Sequence, residues 1–159
     1  FVREVLPAVR AKAGDVPLHI YGSSMTEEVK ALEDDLVQPA GFIEEIAEAY
    51  DGHRIFVAPL LSGAGIKGKV LSALAHGVPC VMTPIAAEGI GLRHKHDCFI
   101  AETPAEWSEA VKALNEDDAL WQRISGNALD YIREAYSFEV GREKMRKAFE
   151  AADMFLSLD

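Results

Sequence analysis

Arg54-Ile55-Phe56-Val57-Ala58-Pro59 runs into Leu60-Leu61-Ser62-Gly63-Ala64-Gly65, then into the segment Ile66 to His76, Gly77 and Pro79-Cys80-Val81-Met82-Thr83. The first run is apolar without alternation and ends at a proline, the pattern of a strand covered on both faces. A glycine-rich loop follows it. Ile66 to His76 then reads as a helix closed by Gly77. Pro79 to Thr83 reads as a second buried strand. Strand, loop, helix and strand form one βαβ unit with its strands parallel.

The same alternation continues on either side. Phe1 to Ala13 reads as an amphipathic helix ended by Gly14, with Pro7 near its start, where proline is tolerated. Phe1 is not a methionine, and the helix is entered part-way, as in a fragment of a longer chain. Leu18 to Gly22 reads as a strand, Thr26 to Leu32 as a helix, Val37 to Phe42 as a strand weakened by Pro39, and Ile43 to Tyr50 as a helix. Beyond the unit, Thr83 to Leu92 reads as a loop and Cys98 to Ala101 as a last strand. Three helices follow, over Pro104–Leu114, Asp117–Ala135 and Ser137–Leu156. Phe138, Met145, Phe149 and Ala152 share one stripe of the last helix, so that face is expected to pack against something. The expected fold is α/β: one Rossmann-like domain over residues 1–159, a parallel sheet with helices on both faces and a helical C-terminal extension.

Composition narrows the partners. Hydrophobic residues make up 49% and charged residues 26% of the 159, as in soluble globular domains. Sixteen Lys and Arg against 26 Asp and Glu leave a net charge of −10, which argues against nucleic acid but not against a small nucleotide. Cys80 and Cys98 form no CxxC pair and are expected to be reduced and buried, as in a cytosolic protein. No apolar run approaches the roughly 18 residues that span a bilayer, and no signal peptide opens the chain.

Ligands of open parallel sheets bind beyond the C-terminal strand ends, which selects two consecutive loops. In Ser62-Gly63-Ala64-Gly65-Ile66-Lys67-Gly68-Lys69, glycines allow close backbone approach, and the following helix start offers free N–H groups. Lys67 and Lys69 add positive charge, so a phosphate fits there; a tight turn with two solvated lysines is the bland alternative. It is not a Walker A loop, because Gly-Lys-Ser/Thr is missing. In Thr83-Pro84-Ile85-Ala86-Ala87-Glu88-Gly89, Thr83 can hydrogen-bond a ligand and Glu88 can accept from sugar or ribose hydroxyls, or the two can be a strand end and a surface acid. His76 reads as a cation at a helix C-terminus, His94, His96 and Asp97 as a solvated loop rather than a metal site, and Trp107 and Trp121 as packing residues.

The succession Arg54 to Leu60, Gly63-Ala64-Gly65-Ile66-Lys67-Gly68-Lys69, Ala73-Leu74-Ala75-His76-Gly77-Val78-Pro79-Cys80-Val81 and Thr83 to Gly89 resembles the C-terminal domain of family-four-like GT-B glycosyltransferases. Its order and spacing over about 35 residues are far more specific than one glycine pair. The strand at Phe99-Ile100-Ala101, the pair Leu120-Trp121 and the junction Tyr136-Ser137 also fit. The resemblance implies one half of a GT-B fold that holds a nucleotide diphosphate-sugar, such as a UDP- or GDP-sugar, and needs neither a cofactor nor an essential metal. Transfer in that family commonly retains the anomeric configuration. An N-terminal acceptor domain of the same full-length chain would face it. The first strand of the domain, with phosphate-binding Arg and Lys contacts, would lie before Phe1. Ser62, Gly63, Ala64, Gly65, Ile66, Lys67 and Lys69 would line the donor phosphates, and Ser72, Thr83 and Glu88 the ribose or sugar. The expected location is the cytoplasm, at the inner membrane face in a full-length enzyme.

Two departures stand out. The family's pair of glutamates is missing: Ser72 occupies the position of the second, and the first has no clear match. A hydroxyl there bonds a ribose more weakly than a carboxylate. The acceptor half is absent, so the chain alone is expected to be inactive. A non-catalytic nucleotide- or sugar-binding module on the same fold is the alternative. A response-regulator-like domain fits worse, since Glu33, Asp34 and Asp35 lie at a helix end rather than after the first strand. An uncovered stripe on the last helix would promote homodimers of the isolated piece.

Overall fold

In the computed structural model, which describes residues 1–152, helices and strands alternate as far as Ile100 and helices complete the chain. The helices are α1 (Leu6–Ala13), α2 (Glu27–Lys30), α3 (Ile46–Asp51), α4 (Gly68–Ala75), α5 (Pro84–Ala87), α6 (Pro104–Glu116), α7 (Asp118–Tyr136) and α8 (Phe138–Ala151). The strands are β1 (Leu18–Tyr21), β2 (Val37–Gly41), β3 (Phe56–Ala58), β4 (Cys80–Met82) and β5 (Phe99–Ile100). β1 pairs with β2, and β3, β4 and β5 pair in that order, all in parallel.

Period-two alternation along the short strands creates two apolar layers. Phe56, Ala58, Cys80, Met82, Cys98 and Ile100 turn to one face, against Val70, Ala73 and Leu74 of α4 and Ala128 of α7. Val57, Val81 and Phe99 turn to the other, against Leu6 and Val9 of α1, Trp107, Val111 and Leu114 of α6, and Ile124 of α7. Val37 of β2 joins the second layer with Leu18 and Ile20 of β1. Burying each of the large side chains, such as Leu74, Leu114 and Ile124, stabilises the fold by about 1.5–3 kcal/mol. The sheet with helices on both faces is thus present. Between β1 and β3 no ladder forms among the described residues, so the strands divide into a pair and a triplet rather than one continuous sheet.

The long helices start on explicit caps. Thr103 and Glu106 form a reciprocal capping box on α6, Asp117 caps α7 and Ser137 caps α8. Several boundaries differ from the sequence expectation; the helix expected from Ile43, for example, begins at Ile46. The first helix begins at Leu6, after turns over residues 2–5. The helix expected from Ile66 begins at Gly68, because the glycine loop runs on through Lys67. The expected loop Thr83 to Leu92 contains the helical turn α5, since Thr83 caps it and Pro84 supplies a first-turn φ. The expected end of the last helix at Leu156 lies outside the described residues. Within them Phe138 is 79% and Met145 59% exposed, and α8 buries no residue, so the stripe read as a packing face is uncovered.

Candidate functional site

β3 and β4 carry the chain to the same edge of the sheet, and the two glycine-rich loops leave from there. Thr83, the residue after β4, ties them together. Its hydroxyl donates to the Leu60 carbonyl at 2.7 Å and accepts from the Ala86 amide at 3.3 Å, capping α5. Thr83 is buried, and its hydroxyl positions the loop after β3.

The loop Ser62 to Lys67 stands out from the edge. Ser62, Gly63, Ala64, Gly65 and Ile66 are exposed, Ile66 by 81%. Gly65 adopts φ +79°, a region that favours glycine. Lys67 folds back so that its ammonium donates to the carbonyls of Gly63 and Gly65, each at 3.0 Å. These bonds turn the carbonyls inward around the ammonium. Among the described residues no protein group accepts from the amides of Ser62 to Lys67. The loop therefore presents unpaired N–H groups beside a lysine, the chemistry of an anion site.

A crevice of about 290 Å³ opens beside this loop. Gly65, Ile66 and Lys67 line one part of it, Glu88, Gly89 and Ile90 another, and Tyr136 a third. The structure so brings together four of the residues singled out from sequence: Gly65, Ile66, Lys67 and Glu88. Ser62, Gly63 and Ala64 belong to the same loop but not to the crevice wall. Lys69 is exposed on the first turn of α4, outside that wall. Ser72 is half-buried on α4, and its hydroxyl lies against the Tyr50 phenol, whose hydroxyl donates to the Lys69 carbonyl at 3.2 Å. Burial pushes that phenol's pKa up, and Ser72 opposes the rise.

Sequence reading overlooked Ile90 and Tyr136. Tyr136 stands 46 residues from Ile90, yet its hydroxyl donates to the Ile90 carbonyl at 3.1 Å. The Tyr131 hydroxyl donates to the same carbonyl at 2.5 Å. In the sequence Tyr136 marks only a helix junction, and helical periodicity gives no hint of which loop a helix end will meet.

The turn before β5 corrects another reading. Asp97 is fully buried, not solvated. It accepts from the Arg93 amide at 2.8 Å, from Arg93 Nε and Nη2 at 2.9 Å and from His96 Nδ1 at 2.7 Å. Burial alone would raise its pKa, but the bonds from Arg93 and His96 outweigh it and hold the carboxyl down at about 2. His94 is a backbone acceptor, taking the Ile100 amide on Nδ1 at 2.9 Å. Trp107 is buried, while the Trp121 indole donates to the Arg54 carbonyl at 2.7 Å. The two cysteines are buried as free thiols, and burial pushes Cys98 up to about 12. Among the described residues no three His, Cys, Asp or Glu side chains gather to hold a metal, and no helix is long and apolar enough to cross a membrane.

Solved structures of other proteins share this fold. A Staphylococcus aureus TarM mutant, solved in complex with Fondaparinux, alpha-GlcNAc-glycerol and UDP, superposes with a TM-score of 0.77 at 20% identity, over 91% of this chain and 31% of that one. Anabaena HepE, solved in complex with UDP and glucose, superposes with a TM-score of 0.78 at 15% identity, over 92% of this chain and 44% of that one. At such identities the likeness shows the fold, which is that of GT-B glycosyltransferases. An uncharacterized 44.6 kDa protein in the cps region of Klebsiella pneumoniae is 29% identical over 147 residues, 86% of this chain and 37% of that protein. The chain thus spans less than half the length of these relatives. The family model of glycosyl transferases group 1 matches residues 1–117, and the chain belongs to that family.

Proposed function

We propose that this chain is the donor-binding half of a GT-B glycosyltransferase, taking a nucleoside diphosphate-sugar with its pyrophosphate on the amides of Ser62 to Lys67. The carrying observation is the row of unpaired amides beside Lys67 at the mouth of the crevice. Negative charge builds on the departing diphosphate during glycosyl transfer. Fixed N–H donors, the start of α4 and the ammonium of Lys67 stabilise that charge without reorganisation. Glu88, exposed at the other wall, accepts from hydroxyls of the sugar or ribose. Transfer with retention and without a metal is the course this reading carries.

An acceptor-binding domain of the same full-length chain completes the enzyme. The small share of its relatives' length that this chain covers supports that organisation. The uncovered stripe of Phe138 and Met145 on α8 is surface such a domain would cover, or a second copy in the isolated piece. Alone, this half turns over no donor, and the complete enzyme works in the cytoplasm. A binding module without catalysis is the second reading, favoured by Ser72 at the position where the family's ribose-binding glutamate is expected. Titration calorimetry with UDP, GDP and uridine tests the first. UDP or GDP is expected to release binding heat and uridine, which lacks phosphates, none. Folded protein with no response to either diphosphate would overturn it. Donor turnover by the full-length chain separates enzyme from module.

A further inference from the structure

Tyr136 is held at the crevice by α7, not by either loop. It is the last residue of that helix, 39% exposed, and it lines the crevice with Lys67 and Glu88. Its hydroxyl shares the Ile90 carbonyl with that of Tyr131, which fills both lone pairs of the oxygen. The two tyrosines are not equivalent. Tyr131 presses on Gly91 so closely that a Cβ there would lie 2.5 Å from its hydroxyl. That contact and its own bond already hold the loop. The second bond, from Tyr136, adds little to the path of the loop, and the end of α7 places the ring. The Tyr136 ring stands 6.2 Å from that of Tyr131, tilted 57°, and remains open to the crevice.

An aromatic face beside a carboxylate suits a pyranose: the C–H face of the sugar is apolar and its rim carries hydroxyls. A phosphate would be repelled by Glu88. We infer that Tyr136 determines sugar specificity, its ring receiving the C–H face of the donor's pyranose while Glu88 accepts from that sugar's hydroxyls. This rests on the donor-binding reading above. The ring's contribution is to the sugar increment, the gain in affinity of a UDP-sugar over UDP.

The test compares UDP, UDP-glucose and UDP-N-acetylglucosamine by calorimetry on the wild type, Tyr136→Phe, Tyr136→Leu and Tyr131→Phe. Tyr136→Phe keeps the ring and is expected to bind all three within about twofold of wild type. Tyr136→Leu is expected to weaken a UDP-sugar about three- to tenfold while UDP stays unchanged. Tyr131→Phe is expected to lower stability and leave the sugar increment alone. On the wild type itself, an NOE between pyranose ring protons and the Tyr136 ring supports the assignment whether or not the leucine variant folds, and its absence in the bound state overturns it. Equal weakening of UDP and UDP-sugars, or no weakening of either, also overturns it and leaves the donor-binding reading standing. Failure of the wild type to bind any of the three overturns both.

Discussion

Single side chains in this protein act mostly on loops. Asp97 is the sharpest case, a buried carboxyl held at about 2 by Arg93 and His96. In the unfolded chain it titrates near the ordinary aspartate value of 3.8. Its folded pKa is depressed, so its stabilising contribution is complete above about pH 4 and disappears as pH falls toward 2. Acid titration followed by circular dichroism should show wild type losing on the order of 2 kcal/mol across that window. Asp97→Asn should lack that part of the acid dependence and be less stable at neutral pH, because Arg93 and His96 lose their partner. Gly91 is the second case. Its φ of +92° and the nearby Tyr131 hydroxyl leave no room for a methyl group. Gly91→Ala is expected to lower the denaturation free energy by about 1–3 kcal/mol, read from the urea midpoint. Tyr131→Phe combined with it should recover part of that loss.

Elements here are short, and their ends matter more than their lengths. β3 has three residues and β4 three, so the Thr83 hydroxyl, which donates to Leu60 across the gap and accepts the α5 cap bond from Ala86, carries much of the alignment between the loops that leave them. Thr83→Val removes both while keeping the shape. It is expected to cost about 1–2 kcal/mol as a lost cap and buried bond and to weaken UDP binding in calorimetry through the displaced Leu60 to Lys67 segment. Thr83→Ser retains the oxygen and should restore both readouts. Lys67 acts on the same segment from its other end. Lys67→Met removes the ammonium that gathers the carbonyls of Gly63 and Gly65. UDP affinity should fall at least tenfold, with little change in the melting temperature, because the loop is exposed.

Over the whole molecule, a charge of −10 surrounds one crevice edged by Lys67. The protein as a body repels polyanions, whereas a small diphosphate meets the loop's local field. Duplex DNA is therefore expected not to be retained at 0.15 M salt in an electrophoretic shift, while UDP binding persists and weakens only modestly as salt rises, since few charges are exchanged. A DNA affinity comparable with that for UDP would contradict this picture.

The alternation of buried strands with helices, the parallel sheet and the place of the two loops were legible in the order of residues, because period-two and period-3.6 patterns are local. The family was legible for the same reason: its motifs lie along one continuous stretch. Three things required the folded chain. The division between β1 and β3 depends on which strand edges meet, and that leaves no mark in either strand. The inward use of the Thr83 hydroxyl depends on the Leu60 carbonyl, 23 residues away. The crevice wall depends on Tyr136 reaching Ile90 from the end of α7. Sequence periodicity tells which face of an element is apolar; only packing in three dimensions decides which distant hydrogen-bonding groups that face brings within 3 Å of each other.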